Sequence, residues 1–200
     1  MDQKALYNIG YGLYVLTAKD GEKNNGCIVN TVMQVTSNPL VIAVGVNKQN
    51  YTHDMIVNTK EFNLSILTKD VPFAVFQHFG FQSGRTVEKL AEYEHHSIGE
   101  NGLAYLSRYT NAYLSCRVME VMDFGSHSLF KAEVKDARTL SQDDSVTYAY
   151  YQKQIKPKPS GDKKSGWRCN ICGFVYEGET LPPDYNCPIC KHGASDFSKI

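Results

Sequence analysis

The feature that most constrains this chain is a cluster of cysteines close to its C-terminus. Four of the six cysteines form two C-x-x-C pairs, Cys169 with Cys172 and Cys187 with Cys190, with 14 residues between the pairs. Two such pairs supply four thiolates, the ligand set of one tetrahedral metal ion. A segment of this size buries too little apolar surface to fold unaided, so we expect a bound metal to stabilise it.

A change of composition marks a linker before the cysteines. Residues 155–166 read IKPKPSGDKKSG and offer almost nothing that could pack into a core. We therefore divide the chain into a first domain of residues 1–155, a flexible linker of residues 156–165 and a small metal domain of residues 166–200. Such a linker spans about 17–19 Å on average, which keeps the two domains close together.

Charge and the N-terminal residues exclude several classes of partner and location. Lys+Arg and Asp+Glu balance at 21 each, so neither a nucleic acid nor a membrane surface is expected as a partner. We see no signal peptide and no apolar run of the ~18 residues that span a bilayer. We therefore expect a cytoplasmic protein with reduced thiols, in which the isolated Cys27 and Cys116 are buried small hydrophobic residues.

Residues 1–155 have the pattern of a mainly β domain. Thr52 is expected to cap a short helix, HDMIVNT, and Pro72 to begin another, FAVFQHFG. The predominance of strands predicts a closed or half-closed β-barrel. The runs that predict strands are YGLYVLTA, CIVNTVMQV, LVIAVGV, FNLSIL, AYLSCRVMEVM and SLFKAEVKDA.

Four thiolates suit either zinc or iron, and their spacing does not choose between the two metals. The surrounding residues favour iron, because a dry aromatic shell and hydrogen bonds to sulfur tune an iron potential. Gly173 can turn backbone N–H groups toward the sulfurs, and Pro188 stiffens the second loop. The aromatic residues of this segment are Trp167, Phe174, Tyr176, Tyr185 and Phe197. Structural zinc remains the alternative.

The cysteine segment resembles rubredoxin over essentially all of residues 166–200. The resemblance lies in WRCNICGFVYEG and in LPPDYNCPICKHGASDF. It implies one iron ion held by Cys169, Cys172, Cys187 and Cys190. Two features depart from free rubredoxins: the loop between the pairs is shorter, as in the tail of rubrerythrin, and Lys191 stands where a glycine usually follows the last cysteine.

Two groups of polar residues in the first domain are candidates for ligand binding. Asn30 and Gln34 alternate with apolar residues in a predicted strand; an unpaired buried amide costs about 1–3 kcal/mol, so each needs a partner in the backbone or in a ligand such as a flavin. Lys48, Asn50 and Thr52 precede or open a predicted helix, whose N-terminal amides favour an anion such as a phosphate. A simple N-cap at Thr52 beside solvated side chains is the alternative.

The first domain resembles the flavin reductase-like family of FMN-binding split β-barrels, over about residues 4–153. The segments that show it are NTVMQVTSNPLVIAVGVNKQNYTHDMI, FGFQSGRTVEKL, GSHSLFKAEV and, as a closing strand, VTYAYYQK. Ser126 and Ala132 replace a common Asp and a common Gly. The resemblance implies a homodimer with FMN bound near the dimer interface.

Site residues follow from this resemblance, position by position. His127 and Arg85 would be catalytic residues near the exposed edge of the flavin ring. The remaining positions would bind the cofactor: Asn30, Thr31, Gln34, Thr36 and Ser37 the ring and ribityl chain, and Lys48, Asn50, Thr52 and His53 the phosphate.

The two resemblances together imply an electron-transfer oxidoreductase. The arrangement is similar to the flavin reductase–rubredoxin fusions of anaerobes, in which electrons pass from NADH or NADPH through FMN to iron and on to a flavodiiron protein that reduces oxygen or nitric oxide. Two alternatives stay open from the sequence. One is a flavin-binding sensor or docking module with a structural zinc ribbon. The other is an electron carrier that another protein, rather than NAD(P)H, reduces.

Overall fold

An antiparallel sheet of seven strands forms the framework of the first domain. The computed structural model describes residue 5 and residues 8–157, 165–170, 173–188 and 192–200. The strands lie in the order β2-β1-β5-β8-β9-β4-β3. They are β1 (Tyr14–Asp20), β2 (Lys23–Val29), β3 (Val32–Ser37), β4 (Leu40–Asn47), β5 (Glu61–Leu67), β8 (Thr110–Asp123) and β9 (His127–Thr139).

The sheet curls into a barrel that does not close, because β2 and β3 form its two ends instead of pairing with each other. This half-closed form confirms the split-barrel prediction. β1 and β2 form an antiparallel hairpin, and all six predicted runs contribute to strands of this sheet. One of those runs, CIVNTVMQV, is divided between β2 and β3, because the chain leaves the strand conformation at Asn30 and Thr31.

Two helices cover the sheet. Helix α1 (Tyr51–Thr59) packs on the inner face through Met55 and Ile56, in a cluster that includes Phe62 and Phe130. Helix α2 (Phe73–Gly80) buries Phe76 and Phe79 in a second cluster. Helix α1 begins two residues before the predicted run, with Asn50 as its N-cap in place of Thr52. Helix α2 consists of the predicted run FAVFQHFG, and Pro72 is its N-cap instead of lying in its first turn.

The segment VTYAYYQK is helical, so its assignment as a closing strand is wrong. It forms a short turn of helix α3 (Tyr148–Tyr150) that continues as a π-helix (Tyr151–Ile155). The Thr147 side chain caps α3 by accepting a hydrogen bond from the Tyr150 N–H (3.1 Å). Tyr151 is buried against Phe76, with ring centroids 4.4 Å apart. This packing on α2 stabilises a helical form that the Tyr-rich sequence does not favour.

The remaining strands are short. β6 (His96–Ile98) and β7 (Ala104–Leu106) form a separate pair. In the C-terminal domain, β10 (Trp167–Cys169) lies between β11 (Val175–Tyr176) and β12 (Phe197–Lys199). Within the part of the chain that the structure describes, no helix has the length and apolar character needed to cross a membrane.

Candidate functional site

A cavity of about 240 Å³, which we call the polar cavity, lies at the N-terminus of α1. Its walls come from β2, from the start of α1, from the segment that follows α2, and from one residue of the C-terminal domain. Its volume is below that of a typical whole-cofactor site, so it suits one polar part of a larger ligand. The lining includes Asn25, Cys27, Asn50, Tyr51, Thr52, Phe81, Ser83, Gly84, Lys89 and His192.

Asn25 leaves a buried hydrogen-bond acceptor unpaired in this cavity. Its Nδ2 donates to Thr52 Oγ1 (3.0 Å), and both side chains are buried. Among the residues that the structure describes, its Oδ1 has no hydrogen-bond partner, which costs about 1–3 kcal/mol unless a ligand supplies a donor. The backbone of Gly84 packs closely on the Asn25 side chain, and a Cβ at position 84 would lie 2.0 Å from Asn25 Nδ2. The site therefore fits a ligand that carries hydroxyl groups.

Lys89 places a buried ammonium group in the same wall. The residue is only 2% exposed, and its Nζ donates to the carbonyls of Gly26 (3.0 Å) and Phe79 (2.9 Å). An ammonium has three protons, so one donor remains for a ligand oxygen. Burial lowers the pKa of Lys89 below its ordinary value. Burial also raises the pKa of the neighbouring Cys27 thiol to about 11, so this thiol is neutral.

The N-terminus of α1 adds further positive potential. Asn50 caps the helix with extended backbone, and within the described part of the chain its side chain makes no capping bond, so it does not neutralise the positive end of the helix dipole. Arg85 lies beside it, with its guanidinium 5.0 Å from the Tyr51 ring centroid and 2.6 Å from Asp54 Oδ2. Burial acts to raise the pKa of the Asp54 carboxyl, but hydrogen bonds from Arg85 and His53 outweigh it and the pKa is lowered. An anion is the ligand that this arrangement favours.

The structure separates the four residues expected to bind phosphate. Asn50 and Thr52 line the polar cavity. Lys48 instead forms an ion pair with Asp123 (2.7 Å) near the tip of the β8–β9 hairpin. His53 is buried toward the barrel, where its Nε2 lies 2.9 Å from Ser128 Oγ. The cavity is lined instead by residues that were not predicted to bind phosphate, among them Asn25, Ser83, Gly84 and Lys89. The last three lie in FGFQSGRTVEKL, a segment that shows the family resemblance.

A second, mainly apolar cavity of about 270 Å³ lies where β4 and β9 meet, and we call it the edge cavity. Thr31 and His127 both line it, so these two predicted residues come together. His127 and Leu129 alternate onto one face of β9, opposite Asn47 and Gly45 of β4. Residues 48–50 join the end of β4, at the edge cavity, to the start of α1, at the polar cavity, so only three residues of the chain separate these two elements.

The other residues predicted near the flavin ring lie outside the linings of both cavities. Asn30 Oδ1 accepts a hydrogen bond from Thr31 (3.2 Å). Gln34, Thr36 and Ser37 lie on the exposed edge strand β3, at the end of the sheet. Arg85 is beside α1, as described above, and is not part of the edge-cavity lining.

The C-terminal domain has a buried group that we call the cysteine cluster: Cys169, Cys187 and Phe197, with partly buried aromatic residues packed around them. Both cysteines are at most 1% exposed. Backbone bonds from Cys169 N to the Phe174 carbonyl (2.8 Å) and from Cys187 N to the His192 carbonyl (2.8 Å) shape the two loops. Gly173 adopts φ +81°, the left-handed conformation that a glycine allows at this turn.

This cluster fits a metal. Two buried thiolates without a positive partner would be costly, and a cation is the natural compensation. The expected ligands Cys172 and Cys190 lie outside the described residues. The expected aromatic shell is present: Phe197 belongs to the cluster, and the other four expected residues pack against it, namely Trp167, Phe174, Tyr176 and Tyr185.

Comparison with known proteins agrees with this geometry. The model of the flavin reductase-like domain matches residues 6–158, and that of the rubredoxin-like domain of rubrerythrin matches residues 167–198. This chain belongs to the flavin reductase-like family. These matches give the chain its two cofactors, FMN in the first domain and one iron ion in the second.

Members of the family share the fold and, in one case, the whole architecture. The high molecular weight rubredoxin of Moorella thermoacetica is 39% identical, covering 100% of both chains. A ferric-chelate reductase (NAD(P)H) of Archaeoglobus fulgidus is 35% identical over 79% of this chain and 93% of its own. The solved structure of an FMN-binding protein from Thermus thermophilus superposes with a TM-score of 0.62 at 21% identity, over 76% of this chain and 80% of that one. The chain is an electron-transfer oxidoreductase of this family.

Proposed function

We propose that this protein takes electrons from NADH or NADPH, passes them through FMN to the iron of its C-terminal domain, and delivers them to an acceptor protein such as a flavodiiron oxygen or nitric oxide reductase. The observation that carries the proposal is the polar cavity, which suits an anionic cofactor group and has a wall from each domain. Thiolate ligands need a reducing compartment, so we place the protein in the cytoplasm.

We further propose that the polar cavity holds the FMN phosphate and the adjoining ribityl hydroxyls. Lys89 and the first N–H groups of α1 would bind the phosphate oxygens, and Asn25 Oδ1 would accept from a hydroxyl. The edge cavity, with Thr31 and His127, would then hold part of the flavin ring. This assignment keeps Asn50 and Thr52 from the sequence-based prediction and adds Lys89, which is buried and has a spare donor.

Bound FMN would accept two electrons together from a nicotinamide and release them singly, and a four-thiolate iron would take one electron at a time. The residues of the chain hold and shield these groups. Phe124 and Leu129 give the edge cavity an apolar wall. His127, whose Nδ1 lies 2.9 Å from Ser126 Oγ, is exposed at this cavity.

The function is tested by mixing the purified protein anaerobically with NADH and, separately, with NADPH. We expect the flavin absorption to bleach first and the ferric–thiolate absorption afterwards. Bleaching of neither band by either nucleotide, with full reduction by a reduced partner protein, would instead establish a carrier that does not use NAD(P)H. One zinc per chain from iron-replete cells would favour the sensor alternative.

A homodimer is a further part of this proposal, and the exposed apolar residues beside the edge cavity support it. Met122 and Phe124 are 52% and 60% exposed at the tip of the β8–β9 hairpin. Met33, also exposed, lies on β3, opposite Ala43 of β4. Clustered exposed apolar residues of this kind usually mark an interface between chains. Since Phe124 lines the edge cavity, a partner subunit here would cover the flavin site.

We expect the substitution Phe124→Lys to convert the dimer to a monomer in sedimentation or light-scattering measurements. It should also lower FMN retention, because an apolar wall of the edge cavity is lost. The matched control is Ile98→Lys, at a residue that is 61% exposed on the separate β6–β7 pair. A Phe124→Lys protein that remains dimeric would contradict this placement of the interface.

A further inference from the structure

Phe81, the C-cap residue of α2, contacts the C-terminal domain. Its backbone N–H donates to the Gln77 carbonyl (3.2 Å), so the helix fixes its backbone. Its half-buried ring lies 5.9 Å from the Phe73 ring and packs against the cysteine cluster of the C-terminal domain. An apolar ring just past a helix end would otherwise stay in water. Here the C-terminal domain buries part of it, and removing this apolar surface from water favours the contact.

A second link between the domains involves His192 of the C-terminal domain. His192 is only partly exposed and lines the polar cavity together with Ser83 and Gly84. Its carbonyl accepts the hydrogen bond from Cys187 N (2.8 Å), so its position is tied to the second cysteine loop. The Phe81 contact and the cavity that His192 helps to line therefore both involve the same stretch of the first domain, residues 80–84.

Residues 80–84, which we call the docking segment, are held in place by the first domain itself. Ser83 accepts hydrogen bonds from the N–H groups of Thr86 and Val87 through its carbonyl (both 3.1 Å) and from the Arg85 N–H through its Oγ (3.3 Å). A surface that is already ordered loses little entropy when a partner binds. Of the described residues, few take part in the contact, so it is of the small kind that opens and closes easily.

We propose that the docking segment, with Phe81 at its centre, is a reversible binding surface for the rubredoxin-like domain of the same chain. This inference goes beyond the proposed function, because a flexible tether alone would need no such surface. It assigns a role to Phe81 and to His192 that concerns the arrangement of the domains and not the chemistry of either cofactor.

Small-angle X-ray scattering of the FMN- and iron-loaded protein tests this proposal. The wild-type protein should scatter as one compact particle. Phe81→Ala should weaken docking by about ten- to a hundredfold and increase the radius of gyration by about a tenth to a fifth, as the freed domain moves on its linker. With FMN kept at saturating concentration, the iron content and the far-UV circular dichroism should match those of the wild type, which shows that both domains remain folded.

Phe73→Ala is the matched control, because it removes the aromatic neighbour of Phe81 inside the first domain and leaves the contact with the cysteine cluster. Its radius of gyration should equal that of the wild type. Wild-type scattering that fits two freely moving domains would overturn the proposal, whatever the variants do. A compact shape that is lost when Phe124→Lys makes the chain monomeric would place the docked domain on the partner subunit and overturn the same-chain assignment.

Discussion

Replacing Cys187 by serine is expected to remove the iron and unfold residues 166–200, while the first domain keeps its fold and its FMN. Cys187 is fully buried at the centre of the cysteine cluster. A domain this small has little other apolar core, so loss of a thiolate ligand removes most of its folding free energy. Metal analysis should fall from one iron per chain to none, and amide exchange throughout β10 and β12 should lose its protection.

Cys116→Ala is the control for that experiment. Cys116 is also buried, but in the core of the first domain, where burial raises the pKa of its thiol to about 12. Its loss leaves a small cavity and a modest decrease in stability, with the iron content unchanged. Retention of iron and of amide protection in the Cys187→Ser protein would refute the assignment of this cysteine as a metal ligand.

Replacing Lys89 by methionine should lower the affinity for FMN by about ten- to a hundredfold, since a hydrogen bond to a charged group contributes roughly 1.5–3 kcal/mol. Methionine keeps the length of the side chain in a buried position and removes only the ammonium. Flavin fluorescence titration of the apoprotein measures the change, and the iron absorption should be unaffected.

Lys48→Met decides between the two candidate phosphate ligands. The Lys48–Asp123 ion pair is largely exposed, and such pairs contribute about 1 kcal/mol or less. If the phosphate lies in the polar cavity, this variant should bind FMN within a few fold of the wild type. A loss of affinity larger than that of Lys89→Met would return the phosphate to the position that the sequence pattern predicted.

The affinity for FMN should also fall at alkaline pH, and the direction follows from Lys89. Deprotonation removes the charge that attracts the phosphate, and a bound phosphate in turn favours the protonated amine. Affinity is therefore constant below the Lys89 pKa of the apoprotein and falls as the pH rises from that value to the pKa in the complex. Because burial lowers this pKa, the fall should begin below the ordinary lysine value of 10.5. In Lys89→Met this alkaline fall should be absent.

The parts of the molecule that the sequence predicted are those that depend on short-range patterns. Alternation and β-branched runs identified the strands, and the spacing of the cysteines identified the metal domain. The polar cavity could not be found this way, because Asn25 and Lys89 meet there from distant parts of the chain. Lys48 matched the pattern of a phosphate ligand, yet Asp123, 75 residues further on, pairs with it. The helical form of VTYAYYQK likewise depends on packing against α2.

The polar cavity takes its walls from two domains, and this has a thermodynamic consequence. A ligand that contacts both His192 and Ser83 binds the docked arrangement more tightly than the open one. Reciprocity then requires that docking strengthen the binding of that ligand by the same factor. Loss of FMN would consequently lower the fraction of molecules in which the iron domain is docked. The occupancy of the FMN site would thus set how long the iron site stays docked beside it.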